Sequence, residues 1–493
     1  MRVSFDVCVS LGLSLVAVAC TGQINGSGGG RDDGGASGSD GGSSGSDGGS
    51  SGDDGGSPDA FIADAFIADA FVADVAPPET PLTDRLVVAT IAAPGGVLAG
   101  DSNWRIWATA SLRVSPVFTV PFADCGTLVG YTTGTTAPTA HVARLDKSDA
   151  LVATYDLGPY VLRGLAAEPD GHFAALLWNS VPHPAVLHVA RFDAAGAPGW
   201  STELIDALAA PTDFGIGESR LEYGNGKYGA YFHVHGISGF AMGHEGDQLK
   251  WLDGGTGAMT NGWSWGCSHS MSELLRFQPQ GSKFLSACVT DCYPGTSGSD
   301  FSTTSIGGVY LDHQRKVLDV DGGCNGKVAG ELGGAAPAPT GWKLVFNAHQ
   351  AAATPGQSSY QSSTMNQDIG FVSVAADLSP SAVVWLTTTT SNENSASVAR
   401  WQPAGDNAEQ YLVGWVETAA GSRHYQLARV SATGAFLSPP VDVSALAKWG
   451  ERDDPFREHR NHDLVWSWFD AAGATSFHFA RLRSSQVATC TAI

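Results

Sequence analysis

The chain has 493 residues, 43% of them apolar and 15% charged, which is enough to build a large core. Its formal net charge of −22 argues against nucleic acid as a partner, because a polyanion would be repelled. Residues 21–84 hold twelve acids against one Arg, a net of −11, and the other −11 is spread over the 409 residues from Arg85 onward.

Residues 1–20 read as a secretory signal. Arg2 precedes an apolar run, Val7 to Ala19, that is too short to span a bilayer as a helix. The run ends Ala17-Val18-Ala19-Cys20, with small residues on either side of Val18, as a signal peptidase requires. This ending resembles the lipobox of bacterial lipoproteins, which implies Cys20 as the acylated first residue of the mature chain. Two positions depart from that pattern: Ala17 stands where Leu is usual, and Asp6 is an acid in the leading segment. An ordinary cleaved signal is the alternative.

Thr21 to Pro58 is built from Gly, Ser and Asp, with almost nothing to bury, and is expected to be a disordered, self-repelling tether. A pentapeptide then occurs three times, as DAFIA at Asp59, DAFIA at Asp64 and DAFVA at Asp69. A period of five draws no stripe along a helix and changes face at every repeat on a strand, so the segment reads as a stalk. The Pro-rich APPETP at Ala76 closes the tether, which spans 21–84. Gly/Ser/Asp tethers of this kind resemble those of bacterial surface lipoproteins. The resemblance implies an address, the cell envelope, with a lipid anchor in the membrane and the chain facing the periplasm or the exterior. It implies no activity.

From Arg85 the pattern changes to alternating apolar segments. The clearest unit is Tyr411 to Leu437, where the apolar run Leu412-Val413-Gly414-Trp415-Val416 reaches the turn formers Ala420-Gly421-Ser422. A second, alternating run holds Tyr425, Leu427 and Arg429, followed by a Gly434 turn and a third short strand. Reworded copies place Leu145, Phe192, Leu252, Leu311, Val374, Val430 and Leu482 at equivalent positions, spaced 47, 60, 59, 63, 56 and 52 residues apart. A period of roughly 40–50 residues, about four strands each, marks a propeller blade, and longer loops stretch it here. Linearly joined β-sandwiches need about 100 residues per domain, so this spacing is too short for them. The expectation for 85–493 is an all-β fold, a β-propeller of seven blades, with six or eight as the neighbouring solutions.

Cys8 leaves with the signal and Cys20 takes the lipid, so six cysteines remain for an oxidising compartment. Cys267, Cys288, Cys292 and Cys324 lie close in sequence, and two local bridges are expected among them. Cys125 and Cys490 flank the repeat array, whose ends meet in a ring, so a clasp between them is expected. The CxxxC of Cys288 and Cys292 has no second pair to make a zinc site. No metal or cofactor is expected.

Two motif matches carry no chemistry. Gly41 to Gly45 fits G-x-S-x-G within the tether, and Gly224 to Gly229 fits G-x-G-x-x-G at an Asn225-Gly226 hairpin turn. The densest polar region is His233 to Met271. His233 and His235 sit two apart on a strand, with His244, Glu245 and Asp247 in the following turn and His269 beyond. Imidazoles and carboxylates that converge can hold a divalent metal or act as acid and base, although polar propeller loops are also simply rich in His. Trp263 and Trp265 share a face of an extended segment and offer stacking surfaces for a sugar or peptide, or else fill the gap between blades. The charged run GERDDPFREHRNHD at Gly450 reads as an inter-blade loop. Asp319 to Gly323 lacks the later acidic ligand of a calcium loop.

These features point first to an extracytoplasmic, lipid-anchored binding protein whose carbohydrate or protein ligand sits at one mouth of the ring. A hydrolase or lyase using His233, His235, His244, Glu245 and His269 is the alternative, and a structural surface protein is the third.

Overall fold

The computed structural model describes residues 80–98, 117–134, 136–179, 186–205, 215–235, 246–267, 272–290, 308–319, 330–348, 350, 366–449, 454–487 and 490. The signal, residues 21–79 of the tether, Cys20, His244, Glu245, His269, Cys292 and Cys324 lie outside these residues, as do the side chains of His235 and Trp265.

A single helical turn, α1 (Leu82–Arg85), leads into β1 (Leu86–Ala92). Blade 1 holds β2 (Val117–Pro121), β3 (Thr127–Thr133), β4 (Thr139–Leu145) and β5 (Leu151–Gly158), and blade 2 holds β6 (Val161–Ala167), β7 (Phe173–Asn179), β8 (Val186–Phe192) and β9 (Pro198–Glu203). Blade 3 holds β10 (Gly215–Gly224), β11 (Lys227–His235), β12 (Gly246–Asp253) and β13 (Met259–Gly266). Blade 4 holds β14 (Ser272–Gln278), β15 (Lys283–Thr290), β16 (Gly308–Leu311) and β17 (Arg315–Asp319). Blade 5 holds β18 (Gly330–Ala338), β19 (Gly341–Ala348), β20 (Asp368–Ala375) and β21 (Val384–Trp385), and blade 6 holds β22 (Asn392–Arg400), β23 (Gln410–Ala419), β24 (Ser422–Ser431) and β25 (Val441–Asp442). Blade 7 holds β26 (Arg457–Glu458), β27 (Leu464–Trp468) and β28 (Ser476–Leu482), and borrows β1 as its fourth strand. The fold is an all-β propeller of seven blades.

The seven positions aligned in the sequence all fall on the third strand of successive blades, and the apolar runs before them form the second strands. These middle strands are covered on both faces by neighbouring blades. Phe232 of blade 3 joins Leu176 of blade 2, Trp342 of blade 5 joins Leu285 of blade 4, and Trp466 of blade 7 joins Leu412 of blade 6. Tyr131 and Phe477 close the ring between blades 1 and 7. The first strands pack on one another around the axis, so their inward side chains line a channel.

Closure comes from β1, which pairs antiparallel with β28 from Leu86↔Leu482 to Ala92↔Ser476. The N-terminal strand thus covers an edge that the C-terminal strands would otherwise expose. Asn225 and Gly226, at φ 49° and 74°, make the hairpin between β10 and β11, so this G-x-G-x-x-G is a turn. In blade 6 the third strand expected straight after Gly434 is reduced to a single bridge, Val430↔Phe436, and pairing resumes at Val441. Pro439 and Pro440 intervene, and neither has an N–H to donate to a ladder.

Candidate functional site

The C-terminal ends of the first strands converge on a cavity of about 540 Å³ to which all seven blades contribute. Its floor is a chain of charged groups. Arg276 on β14 places Nη1 3.4 Å from Glu222 Oε2 on β10, donates from Nη2 to the Asp454 carboxylate and donates from Nε to the Ala335 carbonyl at 3.2 Å. Arg457 on β26 lies 3.4 Å from Asp454 Oδ2 and donates from Nε to the Thr119 carbonyl at 3.2 Å. Asp454 is only 1% exposed, and a Cβ on Gly334 would stand 2.4 Å from its Oδ1, so a glycine there makes room for the carboxylate.

Burial pushes the Glu222 carboxyl up to about 7, against the pull of the Arg457 charge and the Phe277 N–H. Burial pushes Arg457 down to about 10, still far above neutrality, so its guanidinium remains charged. Glu458 and His462 pair at 2.5 Å on the rim, and Tyr223 and Phe277 add apolar walls. Fixed cations, a carboxyl that titrates near neutrality and aromatic flanks together suit a small polar ligand bearing hydroxyl or carboxylate groups.

The run at Gly450 is therefore more than the inter-blade loop expected of it, since it supplies Asp454, the short strand β26 with Arg457, and the rim residue His462. The clue was positional: blade 7 needs a first strand ahead of Leu464, and this run is the segment available.

A second cluster lies at the opposite end of the ring, where the first strands begin. His233 on β11 faces Asp247 on β12 directly in the strand register, so Asp247 is a strand residue and not part of the expected turn. His233 Nδ1–H donates to Asp247 Oδ1 at 2.6 Å, and the Tyr231 hydroxyl donates to Asp247 Oδ2 at 2.6 Å. Glu273, on β14 of the next blade, brings Oε1 to 3.8 Å from the same Nδ1. His233 and Asp247 are 0% exposed and Glu273 is 1%. Burial raises Glu273 well above the carboxylate range, reinforced by the charges of Asp247 and Glu218. Burial raises Asp247 too, against the hydrogen bonds it accepts from His233 and Tyr231. Cys267 and Cys288 are joined by a disulfide beside this cluster.

Trp263 is half-buried between blades 3 and 4. Its indole N–H donates to Asp312 Oδ1 at 3.2 Å, and its ring packs edge-on to Tyr231 at 5.3 Å and against His313 at 4.5 Å. A third acid-rich group, Glu168, Asp170 and His172, is held by Arg191, whose guanidinium grips Glu168 at 2.5 and 3.0 Å. That contact is an ordinary ion pair.

No family model matches the sequence, and no curated protein matches it. Among solved structures the chain is similar to the β-propeller domain of the Trilobed protease from Pyrococcus furiosus, at 8% identity and a TM-score of 0.40 over 75% of this chain and 94% of that one. It is also similar to the Dos1 propeller, at 11% identity and a TM-score of 0.37 over 72% and 75%. A third likeness is to the GH93 α-L-arabinofuranosidase of Fusarium graminearum, at 12% identity and a TM-score of 0.40 over 80% and 98%. These are likenesses of fold and carry no ligand or reaction to this chain.

Proposed function

We propose that this chain is a lipid-anchored, extracytoplasmic binding protein that takes a carbohydrate ligand, preferably an acidic one, at the channel mouth built from Glu222, Arg276, Asp454 and Arg457. The observation that carries the reading is the Arg276–Asp454–Arg457 array beneath a cavity of about 540 Å³, a volume suited to one or two sugar rings. The arginines are held by backbone carbonyls and Asp454, so little side-chain freedom is lost when a ligand arrives. Attachment through Cys20 and the acidic tether would hold the ring off the membrane, where large external polymers can reach it.

The test is titration calorimetry of the full chain against uronic-acid and neutral oligosaccharides, followed by Arg457→Ala. Binding of the acidic series, weakened roughly tenfold or more by Arg457→Ala with the melting temperature preserved, is the expected result. Affinity that survives Arg457→Ala, or absence of any saccharide binding, would overturn the assignment. Release of shortened sugars on long incubation would move the reading to a hydrolase or lyase.

A further inference from the structure

At the opposite end of the ring from that mouth, we propose a binding site for one divalent transition-metal ion of the zinc or manganese kind, with His233, Asp247 and Glu273 as its protein ligands. One donor atom from each of the three lies within 4.8 Å of the other two. Donors bound at about 2.0–2.2 Å from a common ion stand roughly 3–4 Å apart, so the observed 2.6 and 3.8 Å separations need only small side-chain shifts. An imidazole with two carboxylates suits zinc, manganese or ferrous iron; calcium prefers all-oxygen shells.

The second observation is Glu273 itself. Its carboxyl group is 1% exposed, and among the described residues no N–H or hydroxyl donates to either Oε; its side-chain neighbour for sharing a proton is the Asp247 carboxyl. A buried carboxylate left in that state is costly, and it points into the space shared with His233 and Asp247.

The surroundings hold the three donors in place, as outer partners do around metal ligands. The Tyr231 hydroxyl fixes Asp247, and the Glu273 backbone N–H donates to Glu218 Oε2 at 3.2 Å. Cys288 lies opposite Glu273 in the β14/β15 register, and Cys267 follows Gly266, which lies opposite Asp247. Their disulfide therefore ties blade 3 to blade 4 beside both carboxylates. The ligands come from three strands in two blades, which is why no ligand spacing appears in the sequence.

The experiment is elemental analysis of the full chain purified without a metal-affinity tag, followed by chelation and calorimetric titration with Zn²⁺, Mn²⁺ and Ca²⁺. One equivalent of transition metal per chain is expected, with calcium much weaker. Glu273→Gln, close to isosteric, should weaken binding roughly tenfold or more, and His233→Ala at least as much. Asp470→Asn, at an exposed position on blade 7, should leave it unchanged. If His233→Ala fails to fold, Glu273→Gln and the visible spectrum of the cobalt-substituted wild type decide. Weak d–d bands without a thiolate charge-transfer band support the assigned ligands. Three results would overturn the site: no stoichiometric metal and no titratable binding, affinity untouched by Glu273→Gln, or binding with a thiolate band that appears only after reduction. The last would assign the ion to Cys267 and Cys288.

Discussion

Cys125, in the turn between β2 and β3, and Cys490, beyond the last strand, are joined by a disulfide that brings Cα atoms 365 positions apart to within 5.3 Å. The bridge ties the C-terminal end of the array to blade 1, where ring closure already depends on the pairing of β1 with β28. In the chain-entropy account so long a loop restricts the unfolded state by about 6 kcal/mol, less any strain. Cys125→Ser or Cys490→Ser should therefore lower unfolding free energy by about 2–5 kcal/mol in oxidising buffer, measured by urea denaturation. Under reducing conditions the variants and the wild type should converge; a gap that persists there would mean the loss is one of packing.

Arg481 makes a second closure contact. From β28 it donates Nε and Nη2 to Asp149 of blade 1 at 2.7–3.0 Å, and Nη1 to Asp463 Oδ2 at 3.1 Å, with all three residues under 9% exposed. Replacing it strands two buried carboxylates, so Arg481→Met should cost about 3–5 kcal/mol. Arg481→Lys should recover little of this, because one ammonium cannot serve two carboxylates in the same fork. Full recovery by Lys in denaturant titrations would show that charge alone matters here.

The blade count was legible because Leu145, Val430 and their equivalents lie on third strands, which are sandwiched between blades and must stay apolar. The channel was harder to read. Its first strands carry Arg220, Glu222 and Arg276, and such polar residues look like exposed positions in a sequence although they face a narrow axis. Arg457 was hidden further, on a strand of two residues inside a charged run. Of the polar residues singled out between His233 and Met271, His233 and Asp247 meet as cross-strand partners, which strand alternation alone cannot specify. Glu273 joins them from another blade, and no local pattern announces such a contact. Trp263 packs against Tyr231 and His313 between blades 3 and 4.

Removing residues 1–84 should leave the ring intact, whereas removing 1–92 should not. The longer deletion takes away β1 and its buried Ile91, and it opens the edge of β28. The first variant is expected to melt cooperatively within a few degrees of the full chain and to elute as one species. The second is expected to aggregate and lose its cooperative transition. Equal behaviour of the two in scanning calorimetry and gel filtration would show that the borrowed strand is dispensable.

The address can be checked independently of the ligand. Cys20→Ser should abolish labelling by a fatty-acid analogue and release the protein from membranes, while mass spectrometry of the wild-type N-terminus should find an acylated Cys20. An unmodified N-terminus downstream of Cys20 would leave the chain secreted but unanchored.

Glu222 predicts how stability at the channel mouth responds to pH. Its carboxyl sits at about 7 in the folded ring, raised by burial above the ordinary value of about 4.3. Between those two values the folded state keeps a proton that the unfolded state has released. This contribution is therefore fully present below about pH 4.3 and is lost as pH rises toward 7, at a slope of up to about 1.4 kcal/mol per unit. Glu393, raised to about 7 chiefly by burial, acts in the same direction, whereas Asp146 and Asp470, both lowered by hydrogen bonds, act in the opposite one. The informative quantity is therefore the difference between Glu222→Gln and the wild type. The glutamine cannot ionise, so the variant should gain on the wild type from pH 5 to pH 7.5 and then run parallel to it. Melting curves at half-unit intervals would measure this. A difference that stays flat across the window would mean that Arg457 and Arg276 already hold Glu222 charged, and that the carboxyl contributes as a fixed anion.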